Sequence, residues 1–259
     1  MGKIVVFDSG LGSLSIIQAI HKVTKADIVY FADQKNYPYG KKSSKELRKI
    51  IEFSIELLEK KFQPDIIIVG SNTPTLLFPE LFRNNEAIIG VLPPLVEAQK
   101  KTKTKSIAIL GTRAVTQSKE TDQFIKKNLR KNIQIHKIDA SKLIDLVETG
   151  KFIYKKQYCK AIIKEVLSTK FKKYNVDTAT LSSTHLPFLL PILEDLFPQM
   201  SFLDPAVQVA ISLRHNRFFI PSKTNTLKIF SSSKTKTLER NLKKIKIKNK
   251  VKLLKFETK

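Results

Sequence analysis

The sequence has little cysteine, little histidine and no long apolar run. Its single cysteine, Cys159, excludes a disulfide framework, a cysteine-rich zinc site and any mechanism that needs two thiols. No apolar run reaches the about 18 residues that a membrane-spanning helix needs. The first apolar run, Lys3–Phe7, is too short for the core of a signal peptide. We therefore expect a soluble, cytoplasmic protein with no membrane partner.

Acidic residues are scarce relative to basic ones: 23 Asp and Glu against 47 Lys and Arg give a formal net charge of +24. Lysine dominates, and few aromatic residues lie among the basic ones, so a surface that reads nucleic-acid bases is poorly supported. We expect a solvated lysine-rich surface, nonspecific attraction to polyanions and no specific nucleic-acid partner. In the basic tail, Lys243–Lys252 alternates lysine with apolar residues, which predicts an edge strand with its lysines outward.

The rest of the pattern predicts an α/β fold. Hydrophobic residues make up 42% of the 259 residues, enough for a sizeable core. Short β-branched runs alternate with longer segments of helical period, as in parallel sheets with crossover helices. The predicted strands are Ile4–Phe7, Ile28–Phe31, Asp65–Val69, Ile88–Val91, Ser106–Leu110, Ile133–Ile138, Thr178–Leu181 and Ser201–Leu203. The predicted helices include Ser44–Lys61, Thr116–Leu129 and Lys151–Thr169.

Small polar residues follow four of these strands, and ligands of open parallel sheets bind beyond such carboxyl ends. The four ends are Asp8–Gly10, Gly70–Thr73, Gly111-Thr112 and Ser182–His185. Two segments, Val69–Pro74 and Leu181–Leu186, share a buried strand, a turn through hydroxyl residues and a following Leu/Pro/Phe-rich helix. This similarity predicts two related halves that face one another across a site and present one serine each.

Two roles are open for Asp8, which precedes Ser9-Gly10-Leu11-Gly12. Its carboxylate would either cap the helix through Ser15–Ile20 or act as a base beside a helix start whose free N–H groups suit an anion. The glycine run lacks the third glycine of a dinucleotide fingerprint, which argues against nucleotide binding.

His185 alone among the four histidines falls in a polar turn at a strand end. It could act as an acid, a base or an orienting group, and the alternative is a structural histidine. No His, Asp and Glu cluster has metal-ligand spacing, so no metal is implied. Ser71 and Ser183 lack the Gly-x-Ser-x-Gly elbow of serine hydrolases.

Taken together, these segments resemble the glutamate racemase family of the aspartate/glutamate racemase superfamily. They occur in the family's order from the first residues to about Ala206, and the tail could supply a last strand and helix. The matching segments are Val6–Gly12, Tyr37–Gly40, Ser71–Thr73 and Ser183–Pro187, with weaker matches at Leu146–Gly150 and Leu203–Ala206.

The resemblance implies two pseudo-symmetric α/β domains, residues 1–97 with 207–259 and residues 98–206, with the ligand site at their interface. It implies a small amino acid or dicarboxylate as ligand, no cofactor and a homodimer. It also implies that two cysteines, at positions 71 and 183, move the α-proton of glutamate with help from Asp8 and His185. The residues that would hold the substrate are Ser9, Tyr39, Gly40, Asn72, Thr73 and Thr184.

Both expected cysteines are serine in this sequence, and this departure bears directly on the chemistry. A thiol, with a reference pKa near ~8.5, can become a thiolate base at neutral pH, whereas a hydroxyl needs a strong partner base. Cys159 lies inside the predicted helix Lys151–Thr169, so we interpret it as a bystander that cannot replace either thiol.

Three hypotheses remain. In the first, Ser71 with Asp8 and Ser183 with His185 still move the α-proton of glutamate. In the second, the protein binds an amino acid or dicarboxylate without catalysis. In the third, it performs another chemistry of the superfamily, as a decarboxylase, an isomerase or a hydantoin-type racemase. Tyr37–Gly40 favours an amino-acid carboxylate over hydantoin, and Asp8 with His185 favours an enzyme.

Overall fold

Two parallel β-sheets form the framework of the computed structural model, which describes residues 2–83 and 85–255. The ten strands in these ranges are β1 (Lys3–Asp8), β2 (Asp27–Ala32), β3 (Ile66–Val69), β4 (Ile88–Gly90), β5 (Ser106–Gly111), β6 (Gln134–Asp139), β7 (Thr178–Ser182), β8 (Ser201–Leu203), β9 (Thr226–Ser231) and β10 (Val251–Leu253).

Helices connect and cover these strands, and short 3₁₀ turns span residues 34–36, 39–41 and 186–189. The described helices are α1 (Leu14–Val23), α2 (Ser44–Phe62), α3 (Asn72–Leu77), α4 (Glu80–Arg83), α5 (Leu95–Lys101), α6 (Arg113–Gln117), α7 (Lys119–Asn128), α8 (Ser141–Glu148), α9 (Lys151–Tyr154), α10 (Lys156–Lys173), α11 (Leu190–Leu196), α12 (Pro205–Arg214) and α13 (Thr235–Lys244). None of them is long and apolar enough to cross a membrane.

One sheet has six strands in the order β10-β9-β2-β1-β3-β4, and the other has four in the order β6-β5-β7-β8. All neighbouring strands run parallel. Alternate residues of β1 point to opposite faces: Ile4 and Val6 join a cluster with α1 and α12, while Val5 and Phe7 pack with α2. Burial on both faces explains the nearly continuous apolar strands. The predicted α/β fold is confirmed.

All eight predicted strands are confirmed, and their ends differ from the prediction by at most one residue. The pattern missed β9 (Thr226–Ser231). Only Ile229 and Ser231 of this strand are buried, and Lys228 interrupts its apolar run. A half-exposed strand next to the sheet edge therefore lacks the apolar run by which the buried strands were found.

Two predicted helices are each divided in the structure. Thr116–Leu129 breaks at Ser118, which is extended and whose Oγ accepts a hydrogen bond from the backbone N–H of Thr121, so it caps α7. Lys151–Thr169 breaks at Lys155 into α9 and α10, and α10 continues to Lys173. Local capping and backbone geometry ended helices that hydrophobic periodicity alone would continue.

The prediction of an edge strand over the whole of Lys243–Lys252 was wrong in its extent. Lys243 and Lys244 form the last turn of α13, and only Val251–Leu253 pairs as a strand. That strand, β10, does lie at the edge of the six-stranded sheet, with Lys252 exposed. The apolar face of α13 buries Leu238 and Leu242. This packing continues the helix to Lys244, so the first two residues of the alternating segment are helical and do not form a strand.

Candidate functional site

A small polar pocket lies where the carboxyl ends of strands from both sheets meet. Asp8 ends β1, Ser71 follows β3, Thr112 follows β5, and Ser183 follows β7. The pocket has a volume of about 30 Å³. Every residue predicted for the site lines it: Asp8, Ser9, Tyr39, Gly40, Ser71, Asn72, Thr73, Ser183, Thr184 and His185.

Asp8 ends its strand inside the pocket and does not cap α1. The residue before that helix is Ser13, which makes no side-chain capping bond, so the capping interpretation was wrong. The Asp8 carboxylate accepts hydrogen bonds from the Ser9 backbone N–H at 2.7 Å and from Thr184 Oγ1 at 3.2 Å. Burial raises the pKa of Asp8 to about 6, although the charge of His185 and these hydrogen bonds oppose the rise. The carboxylate is therefore poised to exchange a proton near neutral pH.

His185 reaches the pocket from the other sheet and is paired with Glu148. The Nε2 atom of His185 lies 3.1 Å from Glu148 Oε2, and both side chains are largely buried. Burial lowers the pKa of His185, but the hydrogen bond and charge of Glu148, with the charges of Asp8 and Asp145, outweigh it. The pKa of His185 is raised, so the imidazole keeps its proton to higher pH than a free one.

Sequence reasoning assigned no role to Glu148, the carboxylate that orients His185. Glu148 Oε2 also accepts a hydrogen bond from the Leu11 backbone N–H at 2.9 Å, which joins α8 to the loop after β1. The residue falls in Leu146–Gly150, one of the two weaker matches to the family. Its position at the end of a helix, away from any strand end, hid its part in the site.

The two predicted serines enter the pocket from the two sheets. Ser183 is 7% exposed, and its Oγ lies 3.5 Å from Nδ1 of His185. Ser71 precedes α3 without a side-chain capping bond. Each serine thus stands at a strand end whose sheet also supplies an ionisable group, Asp8 beside Ser71 and His185 beside Ser183. Cys159 is fully buried on α10 and is not among the lining residues.

Several polar atoms of the pocket suit a ligand with carboxylate and amino groups. Asn72 donates from Nδ2 to the Val91 carbonyl at 3.0 Å, and its Oδ1 is buried with no partner in the described chain. An orphaned buried acceptor is costly in a native structure unless a ligand or water satisfies it. Thr73 and Thr112 bring their hydroxyl groups to 3.2 Å from each other across the pocket. Thr112 was noted as a strand-end residue but not as a site residue.

Tyr39 forms a buried wall and does not present a free hydroxyl to the pocket. Its hydroxyl group donates to Asp33 Oδ2 at 3.1 Å. Asp33 also accepts from Asn36 and Ser232, and burial raises its pKa in spite of these bonds. Sequence reasoning did not find Asp33, which fixes the Tyr37–Gly40 turn against the pocket.

Gly12 lets α1 approach the two residues that follow Ser183. A Cβ atom at this position would lie 2.4 Å from Thr184 Oγ1 and 2.5 Å from His185 Nδ1. Both distances are too short for real atoms, so only glycine permits this approach. The glycine run after β1 serves here to pack two chain segments closely.

Among the described residues, no group of three or more His, Cys, Asp or Glu side chains could hold a metal ion.

Similarity to proteins of one family extends along nearly the whole chain. A glutamate racemase of Sulfurihydrogenibium sp. is 30% identical over 242 residues, which are 91% of this chain and 90% of that protein. The crystal structure of a glutamate racemase isoform from Bacillus anthracis superposes with a TM-score of 0.85 at 23% identity, covering 99% and 97% of the two chains. Escherichia coli glutamate racemase, in complex with L-glutamate and the activator UDP-MurNAc-ala, gives a TM-score of 0.84 at 20% identity over 98% of each chain. No family model matches the chain.

Proposed function

This chain belongs to the glutamate racemase family, and from that premise we propose that its polar pocket binds glutamate and interconverts the L and D enantiomers. The reaction would move the α-proton from one face of Cα to the other without a cofactor. The observation that supports this most strongly is the arrival of two ionisable groups from different sheets, Asp8 and His185, in one pocket with Ser71 and Ser183.

The protonation states of the two groups fit a transfer between opposite faces. Near pH 7 Asp8 is mostly ionised and can accept a proton, while the raised pKa of His185 favours a protonated donor. One group would take the α-proton, and the electron pair of the broken C–H bond would pass into the adjacent carboxylate as an enediolate. The other group would return a proton to the opposite face. The two groups end with exchanged protonation states, and proton exchange with solvent restores them before the next turnover in the same direction.

The serines would relay these protons. Ser183 Oγ lies 3.5 Å from the His185 imidazole, which can serve as the partner base that a hydroxyl requires. On the family resemblance, thiols at positions 71 and 183 would be the direct bases. Since general acid–base catalysis contributes roughly 10²–10⁴-fold, each replaced thiol should cost up to that factor in rate. We therefore expect slow racemisation.

Glutamate entry would require the pocket to open. Its volume of about 30 Å³ is the room of a few waters and far below the roughly 300 Å³ of the smaller ligand pockets. We propose that residues 1–97 with 207–259 form one domain and residues 98–206 the other, and that they separate to admit the ligand. The membership of the strands in two sheets supports this division. Because lining residues come from both sheets, separation would widen the pocket.

The test is exchange of the α-proton of D- and L-glutamate in D₂O, followed by NMR. The native protein is compared with Asp8→Asn, with Ser71→Ala/Ser183→Ala and with Ser54→Ala as a control. Ser54 is fully buried on α2, away from the pocket, and its Oγ has no partner in the described chain. We expect exchange of both enantiomers that disappears in the two pocket variants and persists in the control.

Other outcomes separate the alternatives. Equal exchange in all four proteins would reveal a contaminating racemase and contradict catalysis by this pocket. Absence of exchange together with a glutamate-dependent rise in melting temperature would identify a binding protein that has lost the chemistry. If neither glutamate nor aspartate raised the melting temperature, the pocket would not be an amino-acid site.

A further inference from the structure

A larger cavity adjoins the polar pocket, and we call it the outer cavity. It has a volume of about 620 Å³, within the roughly 300–1,000 Å³ of small-molecule sites. The residues that line both the outer cavity and the polar pocket are Tyr37, Pro38, Gly40, Thr112 and Ile144. A different cavity beside α13, of about 550 Å³, shares only Tyr37 with the polar pocket. Of these two neighbours, the outer cavity therefore has the broader connection with the polar pocket.

Two chain segments that follow strands of different sheets meet at the wall between the outer cavity and the polar pocket. The 3₁₀ turn of residues 39–41, which follows β2, packs against the start of α6, which follows β5. A Cβ atom at Gly40 would lie 3.0 Å from Thr112 Cβ, so the two segments approach closely. The next residue in each segment, Lys41 and Arg113, lines the outer cavity. Two cationic side chains therefore flank the junction between the two cavities.

Neither of these cations is held by an acidic side chain of the protein. Lys41 and Arg113 are both exposed, and within residues 2–83 and 85–255 neither forms an ion pair. Arg113 Nε donates to the neutral amide oxygen Oε1 of Gln117 at 3.3 Å. Ammonium and guanidinium groups form their strongest hydrogen bonds with carboxylates and other anions. The two side chains are therefore available to an incoming carboxylate.

The acidic residues of the outer cavity belong to other segments and have donors of their own. Asp139 ends β6, and its Oδ1 accepts hydrogen bonds from the backbone N–H and the hydroxyl group of Ser141 at 2.9 and 2.6 Å. Asp145, on α8, accepts a hydrogen bond from the hydroxyl group of Tyr37. An amino acid carries an ammonium group as well as carboxylates. Separate acidic and cationic groups around one cavity therefore match an amino acid better than a simple anion.

We propose that glutamate enters the polar pocket through the outer cavity, where Lys41 and Arg113 attract and hold its carboxylates. This inference rests on the proposed function, and it adds the route of entry and two residues that set the rate of association. The polar pocket, at about 30 Å³, is too small to admit glutamate while closed, whereas the outer cavity can hold the whole molecule. Glutamate held there would lie against the contact between Gly40 and Thr112, which would part as the pocket opens.

The experiment measures the rates of association and dissociation of L-glutamate by NMR line-shape analysis. The rates are compared at low salt and at about 1 M salt, where the Debye length falls to about 3 Å. The test variant is Lys41→Gln/Arg113→Gln. The control, Lys60→Gln/Arg130→Gln, removes one lysine and one arginine that are exposed and line neither cavity. Both control residues lie near the amino ends of strands, before β3 and before β6, whereas the polar pocket lies at the carboxyl ends. Melting temperatures verify that both variants fold.

At low salt we expect glutamate to associate with the test variant at least about threefold more slowly than with native protein, and with the control at close to the native rate. At high salt, screening should bring the native and test rates together.

Three results would overturn this proposal. Equal slowing in both variants would show attraction to the net charge of the whole protein, and native association in the test variant would show entry elsewhere. Absence of glutamate binding to the native protein would overturn the proposed function as well. In contrast, slowed association in the test variant without any exchange of the α-proton would support the entrance and refute racemisation alone.

Discussion

Replacing Asp8 with asparagine should remove the free-energy penalty that the folded protein incurs when this buried carboxyl group ionises. Burial raises the Asp8 pKa from 3.8 to about 6, and at ~1.4 kcal/mol per pKa unit the ionised form destabilises the fold by ~3 kcal/mol. The sign follows from the direction of the shift: the folded state holds the proton more tightly than the unfolded state. This contribution to stability is complete below about pH 4 and is lost as the pH rises to about 6.

The assay is urea-induced unfolding of native and Asp8→Asn protein between pH 4 and pH 7.5. The asparagine Oδ1 can still accept from the Ser9 N–H, so the difference should report mainly the charge. We expect the stability of the variant relative to native to increase by ~3 kcal/mol between pH 4 and about 6.5 and then to level off. Exposed Asp139→Asn, at the end of β6, is the control and should show no such rise. If the free energies of unfolding of native and Asp8→Asn protein changed in parallel with pH, the claim that the ionised Asp8 destabilises the fold would be refuted.

Three further changes test the two sides of the pocket. Ser71→Cys/Ser183→Cys should accelerate proton exchange by at least ~10²-fold, measured in D₂O, because each thiol supplies a base that ionises near neutral pH. Glu148→Gln should lower the His185 pKa, measured by NMR titration of the imidazole, because burial then acts without the carboxylate that opposes it. Gly12→Ala should destabilise the protein by ~1–3 kcal/mol and abolish stabilisation by glutamate, since the new methyl group displaces His185.

Matched variants separate these effects from general damage. Ser54→Cys adds a buried thiol on α2 and should leave the exchange rate unchanged. Gly2→Ala places a Cβ atom 2.6 Å from the carbonyl oxygen of Ile220, and neither residue lines the polar pocket, so it should destabilise the fold but retain the response to glutamate. A thiol pair at positions 71 and 183 without any gain in exchange would contradict the placement of these positions at Cα of the substrate.

The predictability of the fold followed the degree of burial. Strands such as Ile66–Val69 are buried on both faces, so an apolar β-branched run marks them and their ends are sharp. The half-exposed strand Thr226–Ser231 has no such run, and its place beside β2 depends on contacts between residues almost 200 positions apart. The break at Ser118 depends on one side-chain cap, which hydrophobic periodicity does not register.

In the site, too, residues marked by a local sequence pattern could be predicted, whereas residues placed by contacts distant in the sequence could not. Ser71 and Ser183 were predictable because each follows a recognisable strand, and the topology of parallel sheets brings such ends together. Glu148 accepts a hydrogen bond from the backbone N–H of Leu11, which is 137 residues away in the sequence. It also lies at the end of a helix, where an acidic residue gives no sign of a functional role. Tyr39 was predicted as a ligand contact, but Asp33 engages its hydroxyl group. Such pairings are set by tertiary packing, which the order of motifs does not encode.

The strongest physical argument for a working site is the cost of the charge at Asp8. An asparagine at this position would keep the acceptor for the Ser9 N–H without the desolvation penalty that raises the pKa of the carboxyl group to about 6. Only the hydrogen bond from Thr184 Oγ1 to Oδ2 would lose its acceptor, so packing and hydrogen bonding give little structural reason for a carboxylate, whereas the proposed proton transfer near neutral pH requires one. The His185–Glu148 pair supplies the complementary group, a buried imidazole whose pKa is raised by the hydrogen bond and charge of the carboxylate. The proposed proton transfer would use both groups, whereas binding of a ligand alone would not require a buried carboxyl group whose pKa lies near neutral.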